Sequence, residues 1–326
     1  MSIMVQLFPA IDPYDSGLLD VGDGNSVYWE ICGNPHGIPA LVVHGGPGSG
    51  CTTDARRWFD PARYRVVLVD QRNCGRSVPH ASDPAVDLAA NTTAHLIGDF
   101  EKVRAHLGIE QWLLRGWSWG ATLALAYAQT YPSRTSAIVL SAVTSTRRAE
   151  IDWLYRGVGR IFPEAWDRFR SAAGVEIDGD VVGAYAELVE SPDPATRELA
   201  VTQWCAWEDA VLSGETSGRS QPYGHRPDSA KVALVRICAR YFRHGAWLEE
   251  GQLINRADIL NGIPGVLIHG RTDLGSPPYT AWQLARRWTS ADLHIVDAGG
   301  HLGNESMQQL VLESLDRFAD AMTPSS

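Results

Sequence analysis

The stretch Trp112–Gly120 (WLLRGWSWG) constrains this chain more than any other. An apolar strand-like run leads straight into Gly116-Trp117-Ser118-Trp119-Gly120, and the Ala-rich run Ala121–Gln129 after it favours a helix. A G-x-S-x-G turn between strand and helix is so sharp that its serine is held in a strained backbone conformation, with glycines on both sides to avoid clashes. The hydroxyl of Ser118 then stands above the sheet, at the positive end of a helix. By itself the pattern also fits an ordinary Gly/Ser turn. The strand before it and the helix after it favour the nucleophile reading.

The rest of the chain supplies a matching scaffold. Ala40–His44, Tyr64–Asp70, Ala137–Ser141, Gly265–His269 and Asp292–Asp297 read as buried strands. Thr92–Leu107, Tyr279–Thr289 and Ser306–Ala321 read as helices; in the first, Leu96, Phe100, Val103 and Leu107 form one apolar face. Strands alternating with helices predict a mostly parallel, twisted sheet covered on both faces. Between Thr144 and Gly251 the chain is Trp- and charge-rich. Helical periodicity there, at Trp153–Arg160, Val182–Glu190 and Val201–Leu212, predicts an inserted helical cap. The expected division is a core of residues 1–143 and 252–326 with a cap of residues 144–251.

A serine needs a base and an orienting acid. In this arrangement they follow in the order Ser, Asp, His, each after a late strand. Asp273 follows Gly265–Gly270 and His301 follows Asp292–Asp297, so His301 is the expected base and Asp273 its partner. Asp297 is the rival acid, but it is too close in sequence to orient His301. The oxyanion requires two backbone N–H donors. Trp119, after the nucleophile, is one; Gly46 in His44-Gly45-Gly46-Pro47-Gly48 is expected to be the other, with Gly45 as the alternative.

Composition closes off other classes. Twenty-eight basic against 38 acidic residues give a net charge of −10, which repels a phosphate backbone, so no nucleic-acid partner is expected. No window reads as a membrane span and Met1–Gly17 does not read as a signal peptide. Five scattered cysteines fit reduced thiols and a cytoplasmic location. Without GKS/GKT, GxGxxG or HExxH no nucleotide cofactor or metal is expected. Nothing in the sequence sets the oligomeric state.

Taken together, the motifs resemble those of the proline iminopeptidases, serine aminopeptidases of the α/β-hydrolase fold. Tyr14–Gly17, Val21–Gly24, Tyr28–Glu30, His44–Gly48, Asp70–Ser77 (DQRNCGRS), Trp117–Tyr127, Tyr241-Phe242 and His269–Asp273 follow in the family's order. The resemblance implies a small-molecule or short-peptide substrate with a free amino group, usually an N-terminal proline, whose ammonium is held by carboxylates of the cap. One such carboxylate lies in a W-x-x-W-E segment, here Trp204–Glu208, which makes Glu208 the expected amine anchor and Trp207 its neighbour in the pocket. The second precedes the Tyr-Phe pair, where this chain has Cys238 in place of Glu, with Tyr241 three residues on. Trp117 also departs from the family, which usually has Gly there. Some relatives remove an aminoacyl group from a non-peptide amide such as an aminoacylated polyketide macrolactam in antibiotic biosynthesis, and one carboxylate beside an enlarged aromatic pocket suits that role. The expected activity is therefore hydrolysis of the amide after a free aminoacyl residue through an acyl-enzyme. A carboxylesterase without amine requirement is the alternative. A binding protein with a vestigial site is disfavoured by the complete Ser-Asp-His set, and epoxide hydrolase or dehalogenase chemistry by Ser at the elbow.

Overall fold

The computed structural model describes residues 6–216 and 221–322. The first five residues of the segment read for a signal peptide lie outside them. Eight strands form one sheet: β1 Asp15–Gly22, β2 Asn25–Gly33, β3 Ile38–Val43, β4 Tyr64–Val69, β5 Trp112–Trp117, β6 Thr135–Ser141, β7 Gly265–Gly270 and β8 Ala291–Val296, in the order β1-β2-β4-β3-β5-β6-β7-β8. From β4 through β8 every neighbouring pair is parallel.

β1 and β2 were not among the strands expected from the sequence. They form an antiparallel hairpin closed by Gly22, Asp23 and Gly24, all at positive φ, and β2 runs antiparallel to β4. Asp-Gly is a hairpin signal, but β1 is an edge strand with mostly exposed side chains, so no apolar run marks it.

The period of two along each strand sorts the core into two layers. Leu41, Val43, Val67, Leu114 and Leu140 face one layer, packed under α1 (Thr93–His106) and α2 (Trp119–Thr130). Ala40, Val42, Val66, Leu113 and Val139 face the other, against Met307, Val311, Leu315 and Phe318 of the C-terminal helix. Between β6 and β7 come α3 Arg148–Tyr155, α4 Pro163–Ala172, α5 Val181–Leu188, α6 Pro194–Thr216 and α7 Asp228–Arg243. The short α8 Gln252–Asn255, then α9 Tyr279–Ala285 and the C-terminal α10 Glu305–Met322, complete the helices. Helices α3 to α7 bury a third apolar cluster of their own around Tyr155, Phe169, Tyr185, Trp204 and Trp207. Trp153–Arg160, expected as one helix, is divided: α3 ends at Tyr155 and a 3-10 turn covers Gly157–Arg160. Among the described residues no helix is long and apolar enough to cross a membrane.

Candidate active site

Ser118 sits between β5 and α2 at φ 55°, ψ −125°, a conformation disfavoured for any residue with a Cβ. The flanking glycines explain why the chain can turn there. A Cβ on Gly120 would lie 2.0 Å from the Val43 carbonyl oxygen, and one on Gly116 would lie 2.5 Å from the Gly120 carbonyl oxygen. The turn therefore packs directly under the loop after β3 and brings Ser118 against Gly45, the residue before Gly46.

His301 and Asp273, 183 and 155 residues further along the chain, close on Ser118. His301 Nε2 is 3.1 Å from Ser118 Oγ, and its Nδ1 is 3.0 Å from both carboxylate oxygens of Asp273. Asp273 also accepts the Ser276 N–H at 2.7 Å and the Ser276 hydroxyl at 3.1 Å. His269 stands behind it: its Nδ1 accepts the Val143 N–H at 3.0 Å, which leaves the proton on Nε2, 2.5 Å from the Ser276 carbonyl and 3.4 Å from Asp273 Oδ2. Sequence reasoning missed His269 and Ser276; they hold the acid rather than react. Burial pushes the Asp273 pKa upward, but the His301 charge and the hydrogen bonds from His269 and His301 prevail and hold it far below the usual carboxylate range. Burial likewise works against the His301 imidazolium, yet the Asp273 carboxylate outweighs it and pushes its pKa up to about 9. Asp297, the rival acid, is exposed and paired with Arg271, away from His301.

The glycine loop is anchored from below. Gln71 donates its N–H to His44 Nε2 and its side-chain amide to the His44 carbonyl, both at 3.0 Å, and accepts the Trp119 indole N–H at 3.0 Å. One side chain thus ties together the two segments from which oxyanion donors were expected. Gly46 adopts φ 112°, open only to glycine, and a Cβ on it would meet the Gly48 nitrogen at 2.6 Å. Asp70 holds the far side of the loop through the Cys51 N–H and an ion pair with Arg76.

Two hollows meet at Gly46, Ser118, Tyr223 and His301. The first, a narrow one, lies under α3, α6 and α7, with Ile151, Leu154, Val211, Leu234 and Phe242 on its apolar wall. Glu208 and Cys238, the two positions at which the family resemblance implies carboxylates, both line it. Glu208 is 9% exposed and accepts the Tyr155 hydroxyl at 2.5 Å; burial raises its pKa, against that hydrogen bond and the His301 charge. The Cys238 thiol donates to the Pro47 carbonyl at 3.1 Å, so it is engaged with the glycine loop.

Four of the expected pocket residues lie elsewhere than beside Glu208. Tyr241 lies behind Trp119, edge-on at 4.9 Å, with its hydroxyl donated to Asn91 at 2.7 Å, and lines neither hollow. Trp207 faces the helical cluster, stacked on Phe169 and donating to the Leu154 carbonyl; Trp204, one helical turn before Glu208, is the tryptophan on the cavity wall. Trp117 and Gly45 line the second, wider hollow rather than the one with Glu208. For Trp207 the reason is helical phase: consecutive residues on a helix point in different directions, whereas Trp204, four residues before Glu208, shares its face. Arg240, two residues past Cys238, also points away, onto the Trp247 ring.

A further carboxylate escaped sequence analysis. Glu215, near the end of α6, accepts the Leu302 N–H at 2.7 Å and so ties the helical block to the loop bearing His301. Burial raises its pKa against hydrogen bonds from that loop.

Known proteins resemble this chain along nearly its whole length. The alpha/beta hydrolase fold profile matches residues 39–306. A probable proline iminopeptidase of Streptomyces coelicolor is 45% identical over 320 residues, 97% of this chain and 98% of the relative. The proline iminopeptidase of Xanthomonas citri is 42% identical over 319 residues, 97% of this chain and 100% of the relative. Among solved structures, a proline iminopeptidase-related protein of Thermus thermophilus superposes with a TM-score of 0.60 over 94% of this chain and 99% of its own, at 22% identity, a likeness of fold.

Proposed function

We propose that this chain, which belongs to the proline iminopeptidase family of the α/β-hydrolase fold, cleaves the amide after a free N-terminal aminoacyl residue through an acyl-enzyme on Ser118. The membership makes it a hydrolase of the serine aminopeptidase type; the residue roles and the substrate are our reading. The observation that carries it is that the Glu208 carboxylate, the Ser118–His301 pair and Gly46 all border one largely apolar cavity.

Ser118 Oγ attacks the carbonyl carbon of the aminoacyl group as His301 Nε2 takes its proton, and Asp273 stabilises the imidazolium that forms. The carbonyl oxygen becomes an oxyanion held by the Gly46 and Trp119 N–H groups. The C–N bond then breaks, and the leaving amine departs with the proton from His301. Water, deprotonated by the same histidine, releases the amino acid and restores Ser118. Helices α3 to α7 act as a cap over the site, within the expected cap of residues 144–251.

Glu208 holds the substrate ammonium. A buried carboxylate gains from an opposite charge, and requiring one excludes chains whose amine is blocked. Cys238 supplies no second charge. Recognition by one carboxylate suits prolyl or another small residue, carried by a peptide or by a non-peptide amide such as an aminoacylated macrolactam. The uncharged Cys238 on the cavity wall, in place of a second carboxylate, is the observation that favours the second reading, an esterase indifferent to an amine.

The test is the hydrolysis of prolyl, alanyl and leucyl β-naphthylamides, each free and N-acetylated, with Ser118→Ala as blank. Cleavage confined to the free amines, with kcat/KM reduced about tenfold or more in Glu208→Gln, is expected. Equal cleavage of acetylated substrates, or faster turnover of a neutral p-nitrophenyl ester, overturns amine recognition.

A further inference from the structure

The second hollow contains a charge that the reaction outlined above does not use. Arg115 lies on β5, three residues before Ser118, in the middle of the parallel part of the sheet, where strands are ordinarily apolar. It is 6% exposed and lines the hollow together with Trp58, Trp117, Ser118 and His301. Its guanidinium donates to the Gly116 carbonyl at 2.5 Å and stands over the Trp58 ring at 5.7 Å. Among the described residues no carboxylate pairs with it. Burial pushes its pKa down to about 10, so it remains cationic at neutral pH. Other cations in the protein interior are treated differently: Arg56 and Arg72 are equally buried, and each forms a salt bridge with a buried carboxylate.

The surroundings of this hollow are cationic. Arg226 lines it too, donating to the Pro222 carbonyl and lying over the Tyr223 ring, and no salt bridge to it occurs among the described residues. The carboxylate on its wall, Asp54, is exposed and turned to Arg57 at 3.2 Å. A buried, unpaired guanidinium is costly unless an anion joins it, and its planar donors suit a carboxylate.

We propose that this hollow is the leaving-group subsite and that Arg115 binds the free C-terminal carboxylate of a short peptide, which makes di- and tripeptides the preferred substrates. The proposal rests on the aminopeptidase reading above, which puts the aminoacyl group on the Glu208 side of Ser118 and therefore the departing amine on the other. The scale fits. Three residues along a strand span roughly 10 Å, one or two extended leaving residues span about 3.5–7 Å, and the arginine side chain covers the remainder. The amide nitrogen leaves with the His301 proton while the carboxylate at its far end stays ionised against Arg115. The two ends of a short zwitterionic peptide are thus read by opposite charges on opposite sides of the nucleophile.

The experiment compares proline release from Pro-Ala and from Pro-Ala-NH2, with prolyl β-naphthylamide as the neutral reference. Wild-type enzyme is expected to favour the free acid about tenfold or more in kcat/KM, with the ratio falling as salt is added. In Arg115→Met the ratio falls toward one, and Arg115→Lys keeps part of it. Equal rates on acid and amide in the wild type overturn the proposal whether or not the variants fold. So does an Arg115→Met enzyme that keeps the ratio, or a ratio lost only in Arg226→Met. Failure to cleave prolyl β-naphthylamide would instead remove the aminopeptidase reading.

Discussion

Tyr155 donates its hydroxyl to Glu208 at 2.5 Å, joining the last residue of α3 to the middle of α6 across 53 residues of chain. Both groups are buried, so the bond fixes which way the carboxylate faces and favours its ionised form, while burial opposes that form. If Glu208 anchors the substrate ammonium, Tyr155 is its positioning residue. Tyr155→Phe is expected to reduce kcat/KM for free aminoacyl amides about tenfold, mainly through KM, with little effect on p-nitrophenyl acetate. An equal loss on both substrates would reduce Tyr155 to a packing role.

His301 and Asp273 set the pH dependence. The base must be neutral to accept the Ser118 proton. Because Asp273 raises the His301 pKa to about 9, activity should climb with pH along a limb above 6.5. In Asp273→Asn the largest upward pull is gone and burial works against only the Glu215 and Glu208 charges, so the limb moves to lower pH while kcat drops by about 10⁴. Profiles of kcat/KM against pH for both enzymes check the sign. A limb that stays in place would mean that another group controls it.

The same pair bears on stability. The raised pKa of His301 contributes stability that is full below 6.5 and is lost as pH rises through about 9. The depressed pKa of Asp273 contributes stability present above 3.8 and lost as pH falls through its folded value. Asp273→Asn should therefore flatten the melting temperature between pH 6 and 9 relative to wild type, measurable by calorimetry.

Ser118 is held at φ 55°, ψ −125°. Strain of this kind costs about 1–3 kcal/mol in a residue with a Cβ and little in glycine. Ser118→Gly should melt higher than Ser118→Ala, by about 1 kcal/mol in unfolding free energy, with both inactive. Equal stability would show that the turn is relaxed.

Gly120 and Gly98 separate packing from helix propensity. A Cβ at 120 would press on the Val43 carbonyl at 2.0 Å, whereas one at 98, on α1, meets nothing within 4 Å. Gly120→Ala should destabilise by about 3 kcal/mol or prevent folding, and Gly98→Ala should stabilise by about 0.5–1 kcal/mol. Denaturant midpoints decide both.

The parallel strands, the elbow and the order of Ser118, Asp273 and His301 were legible because each is signalled locally: an apolar run of strand length, a Gly-Ser-Gly turn, a polar residue just after a strand. The edge hairpin β1–β2 was not, since its exposed strand carries no apolar run. Glu208 could be singled out through its flanking tryptophans, but which tryptophan shares its cavity depended on the phase of α6, and Trp204 took the place expected of Trp207. His269 was read as a strand residue and Arg115 as the end of one.

What the sequence determined on its own was the fold class and which side chains could do chemistry, because strand period, turn geometry and functional-group identity are properties of neighbours along the chain. Only the tertiary structure decided that Tyr155 holds Glu208, that His269 and Ser276 hold Asp273, that Gln71 joins the glycine loop to Trp119, and that Arg115 is buried without a carboxylate beside Ser118. Those relationships are contacts between segments remote along the chain. Hydrogen bonding and charge pairing act over a few ångströms in space, and residue order does not encode that distance until the sheet and helices have packed.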